Sequence, residues 1–170
     1  VETGWETVTA PLEKQQLKVA DELLGKLATQ LTHRLPEPIV IRNARIFDSE
    51  HATLGPAKDV YIHRGRITAL FEPGSSTATA ATVIDAQGRT LLPGLYDMHG
   101  HMSNWAGLQH LAGGVTSVRD LANDNKFLTG LIDNIESGKV VGPRITPAGF
   151  IEGTSKFSAK SGFVCGSFEE

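Results

Sequence analysis

The stretch LLPGLYDMHGHM, residues 91–102, constrains this chain more than any other. Pro93-Gly94 breaks the preceding segment with a turn. A short run, Leu95-Tyr96-Asp97-Met98, then leads into two histidines separated by one glycine. Read as a β-strand, it puts Leu95, Asp97, His99 and His101 on one side and Tyr96 and Met98 on the other, under helices. Two imidazoles at i and i+2 lie about 7 Å apart along a strand, near enough for both rings to lean onto one metal ion. Gly100 leaves the backbone room beside it. Two ordinary strand-end histidines fit H-x-H equally well, so the surrounding chain has to decide.

Before this stretch the sequence is β-rich. IVIRNARIF, residues 39–47, is strand-like, and a loop with Gly55-Pro56 leads to DVYIHRGRITAL, residues 59–70. Arg64-Gly65 between two β-rich runs predicts a hairpin. Residues 72–79 are turn-rich, and two further short strands, 82–85 and 89–92, flank Gln87-Gly88. His51 and His63 fall among these elements and are assigned no chemistry. Upstream, residues 1–10 read as an extended lead-in. Leu12, Gln16, Val19, Leu23, Leu24, Leu27 and Leu31 then recur at threes and fours, which predicts an amphipathic helix over 11–35 with Pro11 at its start. Its polar face mixes acidic and basic residues, unlike a basic membrane-surface helix, and the expectation is packing on its own protein.

After His101 the pattern becomes strand–helix alternation. A helix is predicted over 104–112, stopped by Gly113-Gly114, and VTSVRDL, residues 115–121, is the next strand. Asp124 is placed to cap a second helix with Phe127, Leu128, Leu131, Ile132 and Ile135 on its apolar face and Gly138 at its end. Gly142-Pro143 opens a third strand over 144–151. Arg119 and Asp120 end the second strand, and alternation alone does not say which faces inward. Residues 153–166 form a Gly/Ser-rich loop containing Cys165, which has no pairing histidine nearby and so no nucleophilic role. Ser167 and Glu170 fit the capping box S-x-x-E, a helix start.

The order V-I-D-A-x-G, then P-G-L-x-D-x-H-x-H, closely resembles the amidohydrolase superfamily of metal-dependent hydrolases over residues 39–150. G-V-T-S-V-R-D and G-P-R-I-T-P-A-G-F resemble its imidazolonepropionase-like and prolidase-like branch. The resemblance implies an α/β fold: the N-terminal part of a (β/α)8 TIM barrel, its first three strands only, preceded by a small β-sandwich segment and the N-terminal helix. Domains follow as 1–38 helical extension, 39–92 β-sandwich-like, and 93–170 incomplete barrel. A full barrel takes about 250 residues, and fewer than 80 follow Pro93. His99 and His101 are then metal ligands, and Glu152, at the mouth of the third strand, is a candidate third where some members use a glutamate. The implied cofactor is a divalent metal, zinc first, which polarises a carbonyl and lowers the pKa of bound water toward 7. The implied reaction is hydrolysis of an amide or peptide-type C–N bond in a small amide, cyclic amide or dipeptide. The family's general base and its remaining ligands lie on later strands, so no catalytic residue is assigned here and the chain alone is expected to be inactive. The alternative is a non-enzymatic truncated or degenerate domain that assembles with a partner chain.

Composition bounds the rest. A net charge of −3 points to no nucleic-acid partner, and no apolar run is long enough for a membrane span. One cysteine rules out an internal disulfide framework and a four-cysteine zinc site. Open sheet edges make oligomerisation an expectation. The chain starts at Val1, as it would after loss of an initiator methionine or leader, or inside a longer polypeptide, so the compartment stays open.

Overall fold

The computed structural model describes residues 4, 6–75, 79, 80, 82–159, 161–167 and 169, with ten strands and three helices in a mixed α/β arrangement. The helix start anticipated over 167–170 lies largely outside the described residues. Two compact units are present: His33–Pro93, and Val1–Thr32 together with Gly94–Glu170.

The His33–Pro93 unit is one five-stranded mixed sheet, β1 (Ile39–Asp48), β2 (Thr53–His63), β3 (Arg66–Phe71), β4 (Thr82–Asp85) and β5 (Thr90–Leu91). The order is β3-β2-β1-β4, with β5 also on β1. Its described residues thus form a single sheet; the second layer of a sandwich is not among them. Arg64 and Gly65 both take positive φ, the turn whose twist matches antiparallel neighbours and which glycine adopts without strain. Gly55-Pro56, expected in a loop, lies inside β2. The β1–β2 register slips there by one residue, and β3 reaches only Asp59, so the missing Pro56 N–H deprives no ladder.

A second slip, between Ile41 and Ala44, marks where β1 exchanges β4 for β5 as its parallel neighbour. Asn43 sits in this bulge at φ 52°. The buried Asp59 holds it: one carboxylate oxygen accepts the Asn43 N–H at 2.9 Å and the other accepts the Gly74 N–H at 2.9 Å. Val40, Ala44 and Val60 are buried around it.

In the other unit, α1 (Glu6–Leu31) starts earlier and ends earlier than the apolar period predicts. Residues 6–10, just before Pro11, are helical rather than extended, and Leu35 lies beyond the helix end, next to Pro36, where the α region is disfavoured. Among the described residues of α1 only Leu24 and Ala28 are buried, while Leu12, Leu17, Val19 and Leu23 stay exposed. The N-terminal half of the apolar stripe therefore gains little burial, and the packing expected of this helix is confined to Leu24 and Ala28 in its C-terminal half. No helix among the described residues is long and apolar enough to cross a membrane.

The remainder alternates strand and helix: β6 (Leu95–Gly100), α2 (Ala106–Ala112), β7 (Val115–Asp120), α3 (Asn125–Glu136) and β8 (Arg144–Pro147). The three strands are parallel and adjacent in the order β6-β7-β8. Asp124 caps α3 by accepting the Phe127 N–H at 2.6 Å. Leu128 and Leu131 from α3 pack with Val118 and Met102 into a core that Ala106, Ile132, Ile135 and Ile145 surround. Phe127, expected on that apolar face, is partly exposed instead. The third strand is shorter than predicted. Pro147 has no N–H to extend the ladder, and the Asn125 side chain takes over the backbone of Phe150, accepting its N–H and donating to its carbonyl. The chain then forms a separate parallel pair, β9 (Ile151–Gly153) with β10 (Phe163–Cys165).

Replacing Asp59 by alanine removes the acceptor for two backbone donors, one of them, the Asn43 N–H, in the β1 bulge. The expected cost is about 2–3 kcal/mol, read as a lower denaturation midpoint with faster hydrogen exchange at the Asn43 and Gly74 amides. An unchanged midpoint with unchanged exchange at both amides would show that the carboxylate does not hold the bulge.

Candidate metal centre

The orientation of the two histidines follows from the β6–β7 register. Asp97 pairs with Val118, but Gly100 pairs with Asp120, so three steps on β6 match two on β7. Directly paired residues in a parallel ladder face the same way. Val118 is fully buried among the helices, so Asp97 faces α2 and α3. The extra residue reverses the alternation, and Gly100 faces them as well. A Cβ on Gly100 would meet Val118 Cγ1 at 2.6 Å and Asp97 Oδ2 at 3.4 Å, which places it on that side directly. His99 and His101 are consequently turned to the open face, opposite the helices. Their ring centroids are 5.3 Å apart with the planes at 68°.

Two expectations from simple alternation are corrected by this slip. Asp97 does not share a side with the histidines. Tyr96 and Met98 do not lie under helices: they are 48% and 54% exposed, and the Tyr96 hydroxyl donates to Thr146 Oγ1 at 3.2 Å on the open face of β8. A one-residue slip moves side chains to the other face, and nothing in the residue types announces it. The choice between Arg119 and Asp120 is also resolved. Asp120 is buried, and Oδ2 accepts the Met102 N–H at 2.7 Å and the Asn123 amide at 2.9 Å. Asp120 Oδ1 has no hydrogen-bond partner among the described residues. Arg119 lies on the open face and its Nε donates to the Met98 carbonyl at 3.0 Å.

The donor chemistry of His101 fits a metal. Its Nδ1 lies 2.7 Å from the Ala122 carbonyl, which only accepts, so Nδ1 carries the proton and Nε2 keeps its lone pair for a ligand. A carbonyl behind a ligating imidazole is the usual way its tautomer and ring direction are fixed. Beneath the pair, Asp97 Oδ1 accepts the His99 N–H at 3.0 Å, and Asp97 Oδ2 lies 3.1 Å from His110 Nε2 on α2. These bonds, the His99 amide first and His110 second, hold the Asp97 carboxyl below the usual carboxylate range. Sequence reasoning passed over His110; its only signal is a histidine in the short apolar helix that follows the H-x-H.

Glu152 is on β9, where one carboxylate oxygen accepts the Ala159 N–H at 2.6 Å. Among the described residues, no group of three or more His, Cys, Asp and Glu gathers into a metal-holding cluster, so Glu152 does not join His99 and His101 in one. Cys165 lies on β10. His51 pairs with Asp48 at 2.8 Å, and His63 lies 3.6 Å from Glu37.

No model of a known protein family matches the chain. Over 78 residues it is 36% identical to an adenine deaminase from Chelativorans sp. (strain BNC1), taking in 46% of this chain and 13% of that protein. It is 32% identical over 134 residues to a dihydroorotase from Geotalea daltonii, 69% of this chain and 31% of that protein. Of the solved structures it resembles, molinate hydrolase superposes with a TM-score of 0.62 at 28% identity, over 72% of this chain and 32% of that one. A prolidase complexed with N-methylphosphonate-L-proline superposes with a TM-score of 0.57 at 25% identity, over 69% and 33%. The chain spans less than a third of the length of these two curated relatives.

The Gly100–Val118 approach gives the centre a direct test. Gly100→Ala should cost about 1–3 kcal/mol by overpacking, measured by thermal or denaturant unfolding. Combined with Val118→Ala, which vacates the space, the double variant should be more stable than the sum of the single losses implies. Strict additivity would contradict the facing deduced for Gly100.

Proposed function

The chain belongs to the amidohydrolase superfamily, and from that premise we propose that its parent protein is a metal-dependent hydrolase of a C–N bond in a small molecule. In this reading β6, β7 and β8 are the first three strands of a (β/α)8 barrel, and the open face bearing His99 and His101 is its interior. Active sites of such barrels lie at the C-terminal ends of the strands, and both histidines are at that end of β6. The observation that carries the reading is the pair itself: two imidazoles on one face, 5.3 Å between centroids, with His101 Nε2 left free by the Ala122 carbonyl.

His99 and His101 would hold a divalent ion, zinc first. When bound, such an ion supplies a polarised carbonyl and an acidified water. The protein's part is to aim the two rings and to keep Tyr96, Met98 and Arg119 lining the same face. Two nitrogen donors fall short of the three protein ligands usual at a catalytic zinc. The remaining donors and the general base are expected from polypeptide beyond these strands, with Glu152 as a further donor only if its carboxylate leaves the Ala159 N–H. An amide, cyclic amide or dipeptide is the proposed substrate class.

The second reading, a domain that works only in assembly, draws on the sheet edges. β6 and β8 each have a neighbour on one side only within their sheet, and exposed Leu95, Tyr96 and Met98 line the first of them. Unpaired edges and apolar surface favour association.

The test is metal content and turnover of the full-length gene product on amides, cyclic amides and dipeptides. Metal-dependent hydrolysis is expected, and His99→Ala or His101→Ala should remove both bound metal and activity. The 170-residue chain alone should bind metal weakly, associate, and show no hydrolysis above background. Hydrolysis by the purified chain, abolished by His99→Ala, would show the later strands to be dispensable. A full-length protein that neither binds metal nor hydrolyses any of the panel would favour the assembly reading.

A further inference from the structure

The contacts beneath the histidine pair single out a residue with no place in the ligand set. His110 is in the last turn of α2, partly buried, with Nδ1 2.7 Å from the Ala106 carbonyl and Nε2 3.1 Å from Asp97 Oδ2. The Asp97 carboxylate is an acceptor, so the His110 Nε2–H donates to it. Asp97 uses its other oxygen to accept the His99 N–H. A continuous run of hydrogen bonds therefore links α2, through His110 and Asp97, to the backbone of His99. That run spans the place where β6 slips against β7, between Asp97 and Gly100.

We propose that His110 is a positioning residue: by anchoring Asp97 to α2 it fixes the β6 slip and so turns His99 and His101 to the open face as a preorganised donor pair. Without its partner, Asp97 is free to leave the His99 amide, and the strand loses a side-chain contact that holds the reversed alternation from the helix side. His110 itself does not reach the open face, because it meets Asp97 on the helix side. The inference rests on the reading of His99 and His101 as ligands.

The experiment compares cobalt(II) affinity, by chelator competition, and the visible absorption of the bound cobalt in the full-length gene product. Variants are His110→Leu, His110→Gln and His99→Ala. His110→Leu should weaken cobalt binding about tenfold and alter the visible bands, the scale seen when an outer partner of a metal ligand is lost. His110→Gln keeps an N–H donor for Asp97 and should stay within about threefold of the parent. If circular dichroism shows that His110→Leu does not fold, Asp97→Ala takes its place with the same expected loss. Affinity and bands unchanged in His110→Leu while His99→Ala abolishes binding would overturn the positioning role and leave the ligand reading intact. Equal losses in His110→Leu and His110→Gln would overturn it too, since restoring the donor would then restore nothing. Unchanged binding in His99→Ala would remove the ligand reading, and this inference with it.

Discussion

The one-residue slip of β6 against β7 governs everything else at this centre. With regular alternation, Asp97, His99 and His101 would share a face, and the same face would have to serve both the helical core and an open site. The slip separates these demands. Asp97 and Gly100 point at Val118 and α2, where a carboxylate can be bonded and a missing Cβ is needed, and the two imidazoles point away. The close contact of Gly100 with Val118 ties that orientation to the core of Val118, Met102, Leu128 and Leu131. The direction of the histidine pair is thus a property of packing as well as of the strand that carries it.

A common device recurs where strands depart from regular pairing. Asp59 accepts two backbone N–H groups across the β1 bulge, Asp97 accepts the His99 N–H in the β6 slip, and Asp120 accepts the Met102 N–H just past the end of β6. Each carboxylate satisfies a donor that the ladder no longer serves, and charged acceptors form the stronger class of such bonds. An unmet buried N–H would cost more than a typical bond returns. Short aspartate side chains close to the backbone therefore let a sheet bend without losing its hydrogen bonds.

Much of the fold was legible in the chain. The Arg64-Gly65 hairpin, the Asp124 cap and the strand–helix alternation after Pro93 each have a local cause that residue types announce. The H-x-H pair was legible too, and both rings do share a face. What was not legible depends on register, which is fixed between strands rather than within one. Alternation along β6 put Tyr96 and Met98 under helices, and the slip exposes them. Gly55-Pro56 read as a loop because proline disfavours a ladder, yet a bulge with no β3 neighbour accommodates it. His110 escaped notice because its importance comes from Asp97, thirteen positions earlier, and no spacing rule within α2 points there. Strand-end position alone suggests Glu152, and the stop at Pro147 gives it a different local sheet.

We propose that His99 and His101 act together as donors to one metal ion on the open face of β6. Anomalous diffraction at the zinc edge, from crystals of the full-length gene product grown with zinc, tests it most directly. A single strong peak is expected within bonding distance of both imidazoles, His101 contributing Nε2 while Nδ1 remains on the Ala122 carbonyl. A peak bound by other residues, with His99 and His101 unligated, would contradict it.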